Sequence, residues 1–293
     1  MTTDPLPPNG NEPSTDLPKE KSKRLVLFSD LRDSTEIMCN YERGVYQPGE
    51  DEGISTYAEF LLDCHKTAFE HLNLDHTSTY TEIYGDGFMA IFPEDNDKYL
   101  LENIYDLTTR MRSYNDTGGV GTCKPAIDIG FGITVGDVSF IYYNLDKRLH
   151  PVGPSIHQAA RIESLSRYYD ARVLISEKFL YEAEYHIDID PRFHYRFIDK
   201  VRLKGFREPV SLYELLIDND PRYENKMQSI PFFTKGYEKY CEQKWLPAKE
   251  LFQYVYTEFG LGIGLVMAKR CDLLYQTPPT QEEWDGVWKM KNK

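Results

Sequence analysis

The sequence predicts an α+β protein, an α/β sandwich in which helices cover a sheet, followed by a small all-helical C-terminal domain. Three observations predict it. From Thr77 to Phe92, two runs of β-branched and aromatic residues flank the turn Tyr84-Gly85-Asp86-Gly87, the composition of a tight hairpin. Between Arg24 and Ile217, runs of strand composition alternate with runs of helical apolar spacing, a pattern that layers helices on a sheet. After Asp218-Asn219-Asp220-Pro221 the spacing is helical throughout and rich in aromatics.

In chain order, residues 1–22 carry Pro, Asn, Asp and Thr and almost no core formers, so they read as a disordered tail. RLVLFSD, from Arg24, is a short apolar strand with a polar end; the loop LRDST and a mixed segment follow it to Gly53. Tyr57, Phe60, Leu61, Cys64, Ala68, Phe69 and Leu72 recur at helical spacing, and the hairpin comes next. Residues 98–114 repeat the helical period behind the candidate caps Asp95, Asn96 and Asp97. Past the break NDTGGVGT, KPAIDIGFGITVGDVSFIYY alternates as a strand, SIHQAARIESLSRYY is helical, and ARVLISEKFLYEA is a buried strand running into a helix. FHYRFIDKVRLKG and PVSLYELLI are paired strands. The expected divisions are the tail 1–22, a main domain 23–218 and a helical domain 225–293. The glycines of GLGIG have neither a preceding strand nor a Lys-Ser/Thr, so they mark a helix-to-helix turn and not a phosphate loop.

Composition excludes several functions. The net charge is −13 and Lys and Arg are not clustered, which disfavours nucleic-acid binding. An anionic nucleotide remains admissible, since local basic groups and metal can meet its charge. The five cysteines are scattered without a C-x-x-C pair, as expected of reduced cytoplasmic thiols and not of a disulfide frame or zinc site. No long apolar run predicts a membrane span, and the N-terminus lacks the apolar core of a signal peptide.

Two carboxylates stand where chemistry is concentrated. Asp30 ends the LVLFSD strand and Asp86 sits in the hairpin turn. If the strands are neighbours, the pair suits Mg²⁺ or Mn²⁺, which take hard oxygen ligands; two such ions about 3.5–4 Å apart serve in-line phosphoryl displacement. Arg161 follows His157 by four residues on one helix face, where its fork could stabilise phosphoryl charge. Lys204 lies beside a glycine between strands, within reach of a polyphosphate. Singly, each has a plain structural reading as a turn former, surface ion pair or solvated loop residue.

Read jointly, LVLFSDLRDST, EIYGDGFMAIF, IGFGITVGDV, VGPSIHQAARIES and VRLKGFREPVSLYEL resemble, in order, the motifs of class III nucleotidyl cyclases over residues 24–217. The resemblance implies a ferredoxin-like core and a head-to-tail homodimer with composite active sites at its interface. It implies two ions per site, held by Asp30 and Asp86, with Arg161 and Lys204 contributed by the other protomer. The phosphate loop maps to Leu31, Arg32, Asp33, Ser34 and Thr35, which lacks the family's usual Gly and Phe. His157 replaces the family's ribose-positioning Asn.

The base-reading positions hold Glu82 and His150. The family's adenine readers pair Lys with Asp, and its guanine readers pair Glu with Cys. A carboxylate only accepts, so Glu82 argues against adenine and is compatible with guanine, uracil or the cytosine amino group. Tyr84 adds volume beside it, which disfavours purines. The C-terminal segment resembles the piece that follows some bacterial cyclases, and the whole chain resembles the pyrimidine cyclases of Pycsar anti-phage systems. That resemblance implies UTP to cUMP, or CTP to cCMP, as a cytoplasmic second messenger for a downstream effector. A guanylate cyclase and a catalytically dead nucleotide-binding sensor are the other readings.

Overall fold

The computed structural model describes residues 21–46, 56–74, 79–117 and 125–290. Residues 1–20 of the expected tail, Thr77 and Ser78, and 118–124 of the glycine-rich break lie outside the described residues. The chain divides into two compact units, Met1–Ala160 and Arg161–Lys293.

The first unit contains β1 (Ser22–Leu31), α1 (Ser34–Glu42), α2 (Tyr57–His71), β2 (Tyr80–Tyr84), β3 (Gly87–Pro93), α3 (Asp97–Thr117), β4 (Ile129–Tyr143), β5 (Arg148–Val152) and the start of α4 (Pro154–Tyr168). Its strands lie in the order β2-β3-β1-β4, with every neighbouring pair antiparallel. This βαββαβ sequence is the ferredoxin-like arrangement. Leu25, Val26 and Leu27 are all fully buried, because β1 is central and covered on both faces. That is why LVLF reads as a continuous apolar run and not an alternating one. Leu25 and Leu27 pair with Phe92 and Ala90 on the face that meets α2, where the Phe69 and Phe88 rings lie 5.7 Å apart. Val26, Met89, Ile91, Val138, Phe140 and Ala159 form a second cluster on the opposite face, joined by Phe28, Tyr80, Leu149 and Ile156.

Helix α2 begins with a capping box, in which Thr56 Oγ1 accepts from Glu59 N–H and Glu59 accepts from the Thr56 backbone. This satisfies two of the donors a helix start leaves orphaned. Two elements of this unit have no counterpart in the sequence reading. Helix α1 buries only Ile37, so its apolar period is too thin to register. Strand β5 pairs only with β4 and contains Pro151, a residue that an edge strand tolerates and a central one does not.

The second unit contains the rest of α4, β6 (Val173–Ser176), α5 (Glu177–Ile189), β7 (Phe193–Arg202), β8 (Val210–Ile217), α6 (Tyr223–Cys241), α7 (Trp245–Phe259), α8 (Gly262–Gln276) and β9 (Trp288–Lys289). The strand order is β6-β8-β7-β9, with β9 parallel to β7. The helices after residue 222 do not close a core of their own. Phe233, Tyr240, Trp245, Phe252 and Met267 share one apolar cluster with Ile198 and Val201 of β7 and Leu212 of β8. The division between the two compact units falls at Ala160/Arg161. Fully buried ion pairs reinforce this packing: Arg270 binds Asp199 at 2.5 Å, and Arg196 and Lys226 both bind Glu214 at 2.7 Å. GLGIG joins α7 to α8 as expected: Gly260 caps α7 in the left-handed region, and a Cβ at Gly264 would lie 2.4 Å from the Phe252 carbonyl oxygen. No helix among the described residues is long and apolar enough to cross a membrane.

Candidate active site

Gly87 makes the site possible. A Cβ on it would lie 2.2 Å from the Ser29 carbonyl oxygen and 3.3 Å from the Asp30 Cα. Only glycine lets the start of β3 press this closely on the end of β1. Asp86, one residue earlier in the two-residue turn, is half-buried, not fully exposed at a tip. Gly85 supplies the turn's positive φ of 64°.

Helix α2 closes this end of the sheet. The Tyr57 hydroxyl bonds to the Ser34 side chain, and its pKa is raised, chiefly by burial and then by the negative charges of Asp86 and Asp30. One phenol thus senses both carboxylates. His65, two turns along the same helix, has its pKa lowered by burial, although a bond to the Asp86 backbone works against that shift. Neither Tyr57 nor His65 stood out in the sequence, where their helix reads simply as amphipathic.

The loop after β1 follows directly. Leu31 is buried, and Arg32 is turned to Asp128, with its N–H on the Asp128 carbonyl at 2.8 Å and its guanidinium on the carboxylate at 3.4 Å. Asp33 adopts the left-handed conformation (φ 58°) and makes no side-chain cap to α1. Ser34 and Thr35 begin α1, whose first N–H groups form an anion-binding end.

Glu82 and Tyr84 are brought together. Tyr80, Glu82 and Tyr84 alternate onto one face of β2, and both phenols donate to Glu82 Oε2, at 3.2 Å from Tyr80 and 2.5 Å from Tyr84. The Tyr84 ring stacks on Phe28 at 6.1 Å and 14°; the Tyr80 ring lies 5.6 Å from Phe140. Burial and then Glu82 raise the pKa of both phenols, in Tyr84 with the hydrogen bond ahead of the charge, so both remain O–H donors at neutral pH. His150, on β5, is held by Asp146 through Nε2 at 2.5 Å and meets the Tyr143 ring edge-on at 5.1 Å. The charges of Asp146 and Arg148 reach the Tyr80 hydroxyl, which sets the β4–β5 turn beside the Glu82 cluster. Tyr80 and Asp146 went unnoticed in the sequence because an alternating strand and a polar turn explain them without a site.

The remaining candidates are on α4 and in the β7–β8 turn. His157 is exposed on the first part of α4. Arg161 follows one turn on, in the second unit, half-buried, with its carbonyl accepting from Ser164 Oγ at 2.8 Å. Lys204, also in the second unit, is exposed in the turn from β7 to β8, beside Gly205 with φ 84°.

No protein-family model matches the chain. Among curated proteins it is 27% identical over 232 residues to the terminal-differentiation-specific adenylate cyclase of Dictyostelium discoideum, a match covering 78% of this chain and 10% of that protein. It is 29% identical over 197 residues to an adenylate cyclase of Anabaena cylindrica, covering 65% of this chain and 36% of the relative. The chain thus spans about a tenth and about a third of these two relatives. Among solved structures, a bacterial light-regulated adenylyl cyclase superposes with TM-score 0.52 at 12% identity, over 70% of this chain and 54% of that one. The chain has the class III nucleotidyl cyclase fold. Asp30 lies at the end of β1, Glu82 and Tyr84 on β2, and Asp86 in the β2–β3 turn. Both sequence relatives are named adenylate cyclases.

Proposed function

We propose that the chain is a nucleotidyl cyclase that converts a pyrimidine nucleoside triphosphate, UTP foremost, to the 3′,5′-cyclic nucleotide and pyrophosphate. The observation that carries the reading is the double use of one hairpin. Its turn carries Asp86 next to Gly87, whose backbone presses on Ser29 and Asp30, and its first strand holds Glu82 with its phenols.

The two carboxylates offer the hard oxygens that Mg²⁺ or Mn²⁺ select, and the charge of each reaches the Tyr57 hydroxyl. When bound, two ions per site neutralise charge on the attacking and leaving oxygens. Asp30 and Asp86 hold them. The first N–H groups of α1, at Ser34 and Thr35, with the backbone of Leu31, Arg32 and Asp33 before them, line the polyphosphate. Glu82 accepts from the base, and His150 and Tyr84 bound its pocket. The ribose 3′-hydroxyl attacks the α-phosphorus in line, the bond to the bridging oxygen breaks, and pyrophosphate departs. In a homodimer with composite sites, Arg161 and Lys204 from the second copy stabilise the charge developing on phosphate, while His157 donates to the ribose.

Glu82 weighs against adenine despite the names of the sequence relatives. The resemblance of the whole chain to Pycsar cyclases supports a cytoplasmic, anti-phage second messenger that acts through a downstream effector. The test is to incubate the purified chain with each of the four nucleoside triphosphates and Mn²⁺ and identify products by mass spectrometry. The expected product is cUMP. Predominant cCMP reassigns the base to cytosine, cGMP restores a guanylate cyclase, and binding without product supports a sensor. Conversion of ATP alone overturns the pyrimidine reading.

A further inference from the structure

Tyr80 and Tyr84 spend one oxygen of Glu82 completely. A carboxylate oxygen accepts about two hydrogen bonds, and both phenols donate to Oε2. The geometry is fixed at each end. Tyr84 is held by its stack on Phe28, and Tyr80 by its contact with Phe140 and the buried cluster around Val138 and Ile91. The three side chains share one face of β2, which among the described residues pairs only with β3.

We propose that Tyr80 and Tyr84 are positioning residues that turn Glu82 into a single-acceptor reader of the base, and so exclude guanine. The inference rests on the reading above that Glu82 faces the base. Guanine presents two adjacent donors, N1–H and N2–H₂, which match the two oxygens of an uncommitted carboxylate. Uracil presents one donor, N3–H, between two acceptor carbonyls. With Oε2 saturated, only Oε1 is open. Uracil N3–H, or the single cytosine amino group, satisfies it, whereas guanine leaves one buried donor unmatched. An unpaired buried donor discriminates more strongly than a missing apolar contact. Glu82 by itself suits guanine, and it is the two phenols that remove the second acceptor. The bulk of Tyr84 is a separate effect, which Tyr→Phe leaves almost unchanged.

The test uses Tyr80→Phe, Tyr84→Phe and the double variant in the full chain. Two readouts are taken: kcat/KM for GTP relative to UTP, and the ratio of Kd values for the α,β-methylene analogues of the same nucleotides, by calorimetry with Mg²⁺. Each single variant is expected to shift the ratio toward guanine by several-fold and the double variant by about tenfold or more. The GTP-to-UTP shift should appear in the ratios of KM and Kd more than in the ratio of kcat, a pattern that general loosening of the fold does not produce. Product formation with an unchanged ratio in a folded double variant overturns the lock and leaves the cyclase reading standing. A shifted Kd ratio with no cyclic product from any nucleotide keeps the lock and overturns the cyclase reading. Failure of the wild-type chain to bind either analogue overturns both.

Discussion

Replacing Gly87 by alanine tests whether the close approach of β3 to β1 builds the site. The added Cβ would sit 2.2 Å from the Ser29 carbonyl oxygen, more than 1 Å inside an ordinary contact of about 3.5 Å. The obstructing atom is backbone in a central strand whose neighbours are buried, so it cannot swing aside. The start of β3 must retreat instead. Overpacking of this kind costs about 1–3 kcal/mol. The retreat also loosens the reciprocal Ser29 Oγ–Phe88 bonds, both 3.3 Å, adding about 1 kcal/mol. Gly85→Ala is the control. It meets nothing within 4 Å but must hold φ 64°, which costs about 1–2 kcal/mol for a residue with a Cβ. Thermal unfolding by circular dichroism should show Gly87→Ala losing about 4–16 °C, and Gly85→Ala about 2–8 °C, at roughly 2–4 °C per kcal/mol for a unit of this size. Nucleotide cyclisation should fall at least a hundredfold in Gly87→Ala, because a 1 Å displacement of a catalytic group has that effect. A Gly87→Ala protein as stable and as active as Gly85→Ala would refute the close-approach reasoning.

Three further outcomes follow from named contacts. Asp30→Asn and Asp86→Asn should each abolish the rise in melting temperature that Mn²⁺ gives the wild-type chain; a wild-type rise that survives in either variant removes that residue from the metal site. Lys226 is 1% exposed and binds Glu214 at 2.7 Å and Asp220 at 2.6 Å. Lys226→Met keeps the volume but strands charge, so urea unfolding should show a loss of about 3–5 kcal/mol, and a loss below about 1 kcal/mol contradicts this. Burial alone would raise the pKa of Asp220, but the Lys226 ammonium and the Arg222 N–H bring it from 3.8 to about 2. Its folded pKa lies below its unfolded one, so the unfolded chain takes up the proton first. The stabilisation, about 2 kcal/mol, is complete above pH 4 and disappears as pH falls through 2. Urea midpoints at pH 5 and 2.5 should therefore differ less in Asp220→Asn than in the wild-type chain.

The strands legible in the sequence are those whose burial leaves a compositional mark. LVLF is apolar throughout because both of its faces are covered, and TEIYGDGFMAIF announces its turn by two glycines. The segment after β8 is less legible, for a physical reason. Asp218-Asn219-Asp220-Pro221 has the composition of a linker, yet it is a fastened turn. Asp220 N–H bonds to the Ile217 carbonyl and Tyr223 N–H to that of Asp220, while the Asp220 carboxylate binds Lys226 and the Arg222 N–H. Its polarity is spent on ion pairs beneath the surface, and only three-dimensional pairing reveals that. Strand β9 is two residues long, too short for any periodicity, and owes its existence to β7.

The site divides along the same line. Asp30 and Asp86 are legible because each stands at a polar break in an apolar run, and Gly87 can be read as a turn residue although its decisive service is the approach to Ser29. Tyr84 is legible as volume. Its hydroxyl is not, because a strand of alternating large residues looks the same whether its phenols face solvent or a carboxylate. Tyr80 carries no sequence mark at all, yet it shares Glu82 Oε2 with Tyr84. Sequence position points to Glu82 as the group proposed to meet the base. The hydrogen bonds behind it set how many acceptors it has left, and on that proposal a base with one donor is told from a base with two by that remainder.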